Sequence, residues 1–396
     1  MTNTNENNSH QFSFMANPVG AACNLSCEYC YYLEKRQILP NIGTMGDKVL
    51  RAYIEQSLAA NSKESVCEFN WSGGEPLLAG KDFFRRAIAL EGQLGKGRQI
   101  RNTLQTNGLL LDDEWCDMFK NCGFFIGVSI DGPANIHNAY RKGPLGEDSF
   151  AAAMRAIELL RKHKIPYKTL TTINSLNENN PIEVYEFLSS ISDYLQFSPV
   201  LERHCTIWEI EEGGLSFAEP PTEDTVNFNR RILPFSATPE GYGNFLIAVF
   251  DIWRNKDIGK KFVQLFEVSL CNLLGRPSAL CVHSPSCGNA LSVEPNGDVY
   301  PCDRYAYPAC KLGNILQTPL LELAEQNRAL GLAKHRSLNP ECLNCEQLRL
   351  CYGGCPKDRV TIINAGETPQ NYFCPSYKKF FAHLRQFVKT EQQVKQ

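Results

Sequence analysis

The chain has 396 residues, 43% of them apolar, with 43 acidic and 40 basic side chains that leave a net charge of −3. This mildly acidic balance, without long basic runs, gives no electrostatic footprint for nucleic acid, and no apolar run reaches the roughly 18 residues of a membrane span. The polar opening MTNTNENNSHQ is unlike a secretory signal, so the expectation is a cytoplasmic protein.

In chain order, residues 1–11 are expected to be disordered, and 12–200 alternate short apolar runs with longer amphipathic stretches, the pattern of repeated βα units and a parallel sheet. Six strands are predicted: 12–17, 66–71, 99–105, 124–130, 167–173 and 194–200. The stretches between them carry apolar residues at three- and four-residue spacing, and several open with Asp, Glu or Pro, as helices do. Residues 201–275 read as a connector, which includes the acidic Glu209, Glu211 and Glu212, followed by a helix near 241–256. A cysteine-rich domain over 276–396 opens with the hairpin ALSVEPNGDVYPC, turning at Asn296 and Gly297, and closes with an amphipathic helix from Ser376. The fold class is therefore α/β, a partial (β/α)6 barrel followed by a small cysteine-rich domain.

The strand ends matter most, because sites in parallel barrels sit on the loops that follow the strands. Those ends read CNLSCEYC, SGGEP, QTNG, SIDGP, TTIN and QFSP. The chain has 17 cysteines, well short of the roughly 8–10% of a disulfide scaffold, so metal binding is the expected use. Cys23, Cys27 and Cys30 supply three thiolates from one loop with no nearby fourth ligand. Three cysteines can hold three irons of a [4Fe–4S] cube and leave one iron open to a chelating small molecule; a zinc site completed by a distant histidine is the alternative. Eight more cysteines follow, Cys281, Cys287, Cys302, Cys342, Cys345, Cys351, Cys355 and Cys374, enough for two complete four-ligand sites of either iron–sulfur or zinc type. Cys67, Cys116, Cys122, Cys205, Cys271 and Cys310 are expected to be small buried hydrophobes. His10, His163, His335 and His383 are expected at the surface.

Cys23-x3-Cys27-x-Tyr29-Cys30 followed by Gly73-Gly74-Glu75-Pro76 resembles the radical S-adenosylmethionine superfamily. The resemblance implies that the open iron is chelated by S-adenosylmethionine and that one electron cleaves it to methionine and a 5′-deoxyadenosyl radical. It implies a cofactor site made by Tyr29, Ser72, Gly73, Gly74, Glu75 and Ser129, with Glu75 reaching the methionine amino group and Ser129 the ribose. The C-terminal cysteines are similar to the SPASM auxiliary-cluster module. That pattern implies an interleaved pairing, with Cys281, Cys287, Cys302 and Cys355 on one [4Fe–4S] cluster and Cys342, Cys345, Cys351 and Cys374 on the other, three clusters in all.

The stretches VEPNGDVYPCD, KLGNI, CYGGCPKDR and NYFCPSYKKFF, with MANPVGAACNLSCEYCYYLEK upstream, look like the anaerobic sulfatase-maturating enzymes over about residues 13–385. Those enzymes oxidise a Cys or Ser of a sulfatase to formylglycine. The implied partners are an unfolded or nascent sulfatase polypeptide and a small electron donor such as flavodoxin or ferredoxin, with the enzyme a monomer. Asp303 falls on the position of the family's general base, a role suited to a partly desolvated carboxylate of raised pKa; an Asp capping its own turn is the alternative. Ser72 and Ser198 depart from the family's common Gln and Ile. A peptide maturase making thioether or carbon cross-links, and a non-catalytic metal scaffold or electron carrier, are the competing readings.

Overall fold

The structure, a computed structural model, describes residues 12–202, 232–287, 290–361, 363 and 368–394. Residues 1–11, the acidic triplet of the connector, His10 and Cys205 lie outside the described residues.

All six predicted strands form: β1 (Ser13–Ala16), β2 (Cys67–Trp71), β3 (Ile100–Thr106), β4 (Phe124–Ser129), β5 (Tyr167–Ile173) and β6 (Tyr194–Pro199). They pair in parallel in that order, with Ala16 opposite Trp71 and Leu104 opposite Ile126. A two-residue strand, β7 (Phe262–Val263), extends the far edge through the Phe262 amide on the Asp193 carbonyl at 2.7 Å. On the near edge, β8 (Ala290–Val293) lies parallel to β1, and β9 (Asp298–Tyr300) and β10 (Gly313–Asn314) follow antiparallel. The predicted hairpin, turning at Gly297 with φ 87°, thus continues the barrel's own ten-stranded sheet into the cysteine-rich region. This continuity holds the two regions in one register.

Alternation sets the two faces of the sheet. Phe69, Trp71, Leu104, Phe124 and Ile126 face a shell of helices that includes α2 (Asp47–Ala60), α3 (Lys81–Leu94) and α4 (Asp113–Asn121). There, Trp71 meets Tyr53, Phe83 and Phe84 edge-on. The opposite face carries polar side chains: Asn70 donates to the Ser13 hydroxyl at 2.9 Å, and Lys168 to Gln196 at 2.8 Å. Local signals fix the helix starts: the Asp112 carboxylate accepts from the Trp115 amide at 2.9 Å, and Thr238 caps the helix Pro239–Lys256. The last helix, Cys374–Val394, begins two residues before its predicted start and packs Phe380 and Phe387 on Phe250. Among the described residues no helix is long and apolar enough to cross a membrane.

Cys67 and Cys116 are fully buried, as expected, whereas Cys122, Cys271 and Cys310 are half-buried. His163 and His383 differ from the surface expectation: each is partly covered and bonds a carboxylate, Asp113 at 2.7 Å and Asp251 at 2.8 Å.

Candidate functional site

The loop after β1 carries Cys23, Cys27 and Cys30 and runs into the short helix α1 (Tyr32–Ile38). Arg36 of that helix folds back on the loop, its guanidinium donating to the carbonyls of Ala21 at 3.0 Å, Cys23 at 3.4 Å and Leu25 at 2.9 Å. The Leu25 amide and the Asn107 side chain point at the Cys23 sulfur, at 3.3 and 3.6 Å. The three sulfurs feel one another's charge, and burial pushes all three thiols up, Cys27 to about 11. Metals bind the thiolate, so a cation must offset that cost. The donor chemistry fits an iron–sulfur cluster with one iron left open.

The other strand ends close around this loop. Gly73 and Gly74 lie on the backbone of residues 17–22, with the Gly74 amide on the Gly20 carbonyl at 2.9 Å and the Glu75 amide on Ala22 at 2.8 Å. A Cβ at Gly74 would stand 2.0 Å from the Ala22 oxygen, so only glycine permits the contact. The Ser72 amide donates to Ala16 at 3.0 Å. The Glu75 side chain is turned into the protein: its carboxylate accepts from the Leu77 amide at 3.1 Å, the Thr106 hydroxyl at 2.8 Å and the Asn107 amide at 2.8 Å. Burial pushes it up to about 7 against the pull of those bonds. Glu75 therefore braces β2 against β3 beside the glycine turn. Ser129, at the end of β4, accepts from Gln105 at 3.1 Å. Tyr29 is buried with its hydroxyl on Asp131, which also pairs with Arg141 at 3.0 Å; the ring packs edge-on to Tyr140 and Phe235.

The remaining cysteines fall into two groups. Cys342, Cys345, Cys351 and Cys374 line a single pocket with Gly353, Asn371 and Tyr377. Cys281, Cys287, Cys302 and Cys355 form the other, in which the charge of Cys281 and Cys355 bears on both Cys287 and Cys302. These are the two sets that the interleaved pairing names. Cys351 and Cys355, four residues apart, belong to different groups. Among the described residues no three His, Cys, Asp or Glu side chains are gathered as ligands of a single metal ion.

Asp303 follows Cys302 directly and opens a single helical turn, Asp303–Tyr305. One carboxylate oxygen accepts from its neighbour's Arg304 amide at 2.9 Å, and the other accepts from the Tyr31 hydroxyl at 2.6 Å. Tyr31 is next to Cys30, so this bond ties the first cysteine loop to the second cysteine-rich region. Lys35, buried beneath, donates to the Asp303 carbonyl and lies over the rings of Tyr31 and Tyr32 at 4.5 and 4.6 Å. Burial lowers its pKa, while Asp303 and Glu294 raise it. Sequence reasoning singled out neither Tyr31 nor Lys35, nor Asn107. The one available signal was a lysine three residues after Tyr32 on the same side of a short helix.

Two family models match the chain: "Radical SAM superfamily" over residues 17–190 and "Iron-sulfur cluster-binding domain" over 281–346. The chain is similar to a serine-type anaerobic sulfatase-maturating enzyme of Bacteroides thetaiotaomicron, 38% identical across 94% of this chain and 89% of that protein. It is also similar to a cysteine-type anaerobic sulfatase-maturating enzyme of Clostridium perfringens, 32% identical across 94% of this chain and 95% of that one. Among solved structures it resembles native anSMEcpe with bound AdoMet and Cp18Cys peptide, with a TM-score of 0.81 and 30% identity, covering 96% of this chain and 99% of that chain.

Proposed function

Because the chain belongs to the anaerobic sulfatase-maturating enzymes of the radical S-adenosylmethionine superfamily, we propose that it oxidises the Cβ of a Cys or Ser residue in an unfolded sulfatase segment, giving formylglycine. The observation that carries this reading is the placement of Asp303, bonded to Tyr31 of the first cysteine loop and adjacent in sequence to Cys302 of the second region.

Cys23, Cys27 and Cys30 would hold the first cluster, with S-adenosylmethionine on its open iron against the turn of Ser72, Gly73, Gly74 and Glu75, the Tyr29 loop and Ser129. When bound, cluster and cofactor together supply a radical able to remove one hydrogen atom. Glu75 and Arg36 hold the two halves of that site in contact. Asp303 takes the thiol or alcohol proton of the substrate once its β-hydrogen has gone. Losing that proton makes the carbon-centred radical strongly reducing, and the electron it sheds is released one residue from Cys302. For a Cys substrate the resulting thioaldehyde is hydrolysed by water. The two four-cysteine groups would hold the second and third clusters, which require a reducing compartment. A cytoplasmic monomer served by flavodoxin or ferredoxin and acting before the sulfatase folds satisfies these demands, since a folded sulfatase could not present one side chain inside the polar lumen.

Anaerobically reconstituted protein with S-adenosylmethionine, a reductant and a pair of sulfatase-motif peptides bearing Cys or Ser tests the proposal by mass spectrometry. The expected result is the formylglycine mass with 5′-deoxyadenosine. A cross-linked product of unchanged sulfur content would transfer the chain to the peptide maturases, and intact clusters with neither product would make it an electron carrier.

A further inference from the structure

Two buried arginines, Arg141 and Arg359, and the partly exposed Arg304 occupy the cysteine-rich end of the molecule and its approach. Two have carboxylate partners: Arg141 pairs with Asp131, and Arg304 holds Asp358 through two bonds of 2.6 and 3.0 Å. Arg359 has none among the described residues. Its guanidinium is instead enclosed by main-chain oxygens: those of Gly353 at 3.2 Å, Lys334 and Ser337 at 2.9 Å each, and Tyr352 at 3.3 Å, with the Ser337 hydroxyl at 3.0 Å. These bonds satisfy its donors but not its charge. A guanidinium does not deprotonate in proteins, and an uncompensated buried charge is costly. An anion therefore belongs within its reach.

The groups whose charge bears on Arg359 identify that anion. They are Cys342 from one four-cysteine group, Cys355 and Cys287 from the other, and the phenol of Tyr305, while the guanidinium itself bonds the carbonyls of Tyr352 and Gly353, which lie between Cys351 and Cys355. The backbone is built around this position. Cys351 and Cys355, one from each group, are joined by Tyr352, Gly353 and Gly354, all three left-handed with φ of 47°, 71° and 63°. That curl turns the carbonyls of Tyr352 and Gly353 onto the guanidinium, and a Cβ at Gly353 would stand 2.9 Å from it. Tyr352 adopts a conformation that non-glycine residues rarely take.

We propose that Arg359 is the shared counter-charge of the two auxiliary clusters and raises the reduction potential of both, so that they accept the electron shed by the substrate. The inference rests on the reading that both cysteine groups hold iron–sulfur clusters, each anionic through its four thiolates. A fixed positive charge between them stabilises the reduced form, which carries one more electron. Lys334, whose ammonium bonds the carbonyls of Cys281, Val282 and Ser284, adds a second charge on the side of the first group only. Arg359 is a positioning residue by this account; it touches neither substrate nor cofactor.

The test uses full-length protein reconstituted anaerobically, with iron counted per chain and potentials read by redox titration under electron paramagnetic resonance. Auxiliary signals are those unmoved by added S-adenosylmethionine. Arg359→Gln removes the charge, while Ser337→Asp keeps the arginine and gives it a carboxylate at a half-exposed position, at the loss of the bond the Ser337 hydroxyl donates to the Ala333 carbonyl at 2.7 Å. Both are expected to move the auxiliary potentials to more negative values, by at least tenfold in the one-electron equilibrium constant, about 59 mV. Arg359→Lys is expected to stay near the natural value. Full iron content with unmoved potentials in Ser337→Asp overturns the proposal, whether or not Arg359→Gln loads its clusters. A shift in Arg359→Lys as large as in Arg359→Gln also overturns it, because hydrogen bonding and not charge would then be responsible. Natural protein that binds iron for fewer than three clusters refutes the underlying reading instead, and the proposal with it.

Discussion

Replacing Asp303 by Asn removes the proposed base with little change of shape. The Asn oxygen can still accept from the Arg304 amide, and the Tyr31 hydroxyl, a donor to the carboxylate at 2.6 Å, can rotate to accept from the amide. Lys35 keeps its bond to the main-chain carbonyl and the charge of Glu294 nearby. The cost in stability is then that of weakening one or two hydrogen bonds, about 1–3 kcal/mol. The chemical cost is larger: a positioned general base contributes roughly 10²- to 10⁴-fold, or about 3–5 kcal/mol of barrier. The assay is the ratio of aldehyde peptide to 5′-deoxyadenosine, by mass spectrometry and chromatography of the same reaction. Deoxyadenosine is expected to form at close to the natural rate while the aldehyde falls by at least a hundredfold. An unchanged ratio would remove Asp303 from the base role and reduce it to the cap of its own turn.

Cys23→Ala is expected to abolish deoxyadenosine formation while leaving the iron of the two C-terminal groups in place, as metal analysis would show; residual cleavage would contradict the open-iron assignment. Gly74→Ala must displace the Ala22 backbone, a strain of about 1–3 kcal/mol, and is expected to weaken S-adenosylmethionine binding at least tenfold in a calorimetric titration. Glu91, buried and bonded to Asn102 at 2.7 Å, is pushed by burial from 4.5 to about 7. The folded chain therefore favours its neutral acid: this contribution is fully present below about pH 4.5 and is lost as pH rises through about 7, roughly 3 kcal/mol in all. Glu91→Gln is expected to unfold at higher temperature than the natural chain at pH 8.5 and at the same temperature near pH 4.5; a difference independent of pH would refute the assignment.

The barrel was legible because its signals are local. Alternation and the glycine turns marked all six strands to within a residue or two, and Asp112 and Pro181 marked helix starts, while the helix expected near 241 begins at Pro239. Phe262–Val263 was not legible, because two residues carry no period and its place depends on pairing with Tyr194 and Leu195 of β6. The cysteines announced themselves by spacing, yet their division into two groups became physical only where four of them line one pocket. Glu75 shows a different limit. Its motif gives no hint of the bonds its carboxylate accepts from Thr106 and Asn107, more than 30 positions away in sequence. Tyr31, Lys35 and Arg359 are ordinary residue types whose significance lies wholly in what folding brings to them, and no pattern along the chain predicts a guanidinium closed in by main-chain oxygens.

The central claim is removal of a hydrogen from the Cβ of a Cys or Ser in a sulfatase peptide, and isotope transfer tests it most directly. With a peptide deuterated at that carbon, the account predicts deuterium in the 5′-deoxyadenosine and an aldehyde product in equal amount. Unlabelled deoxyadenosine beside an aldehyde, or label transferred with no aldehyde formed, would contradict it.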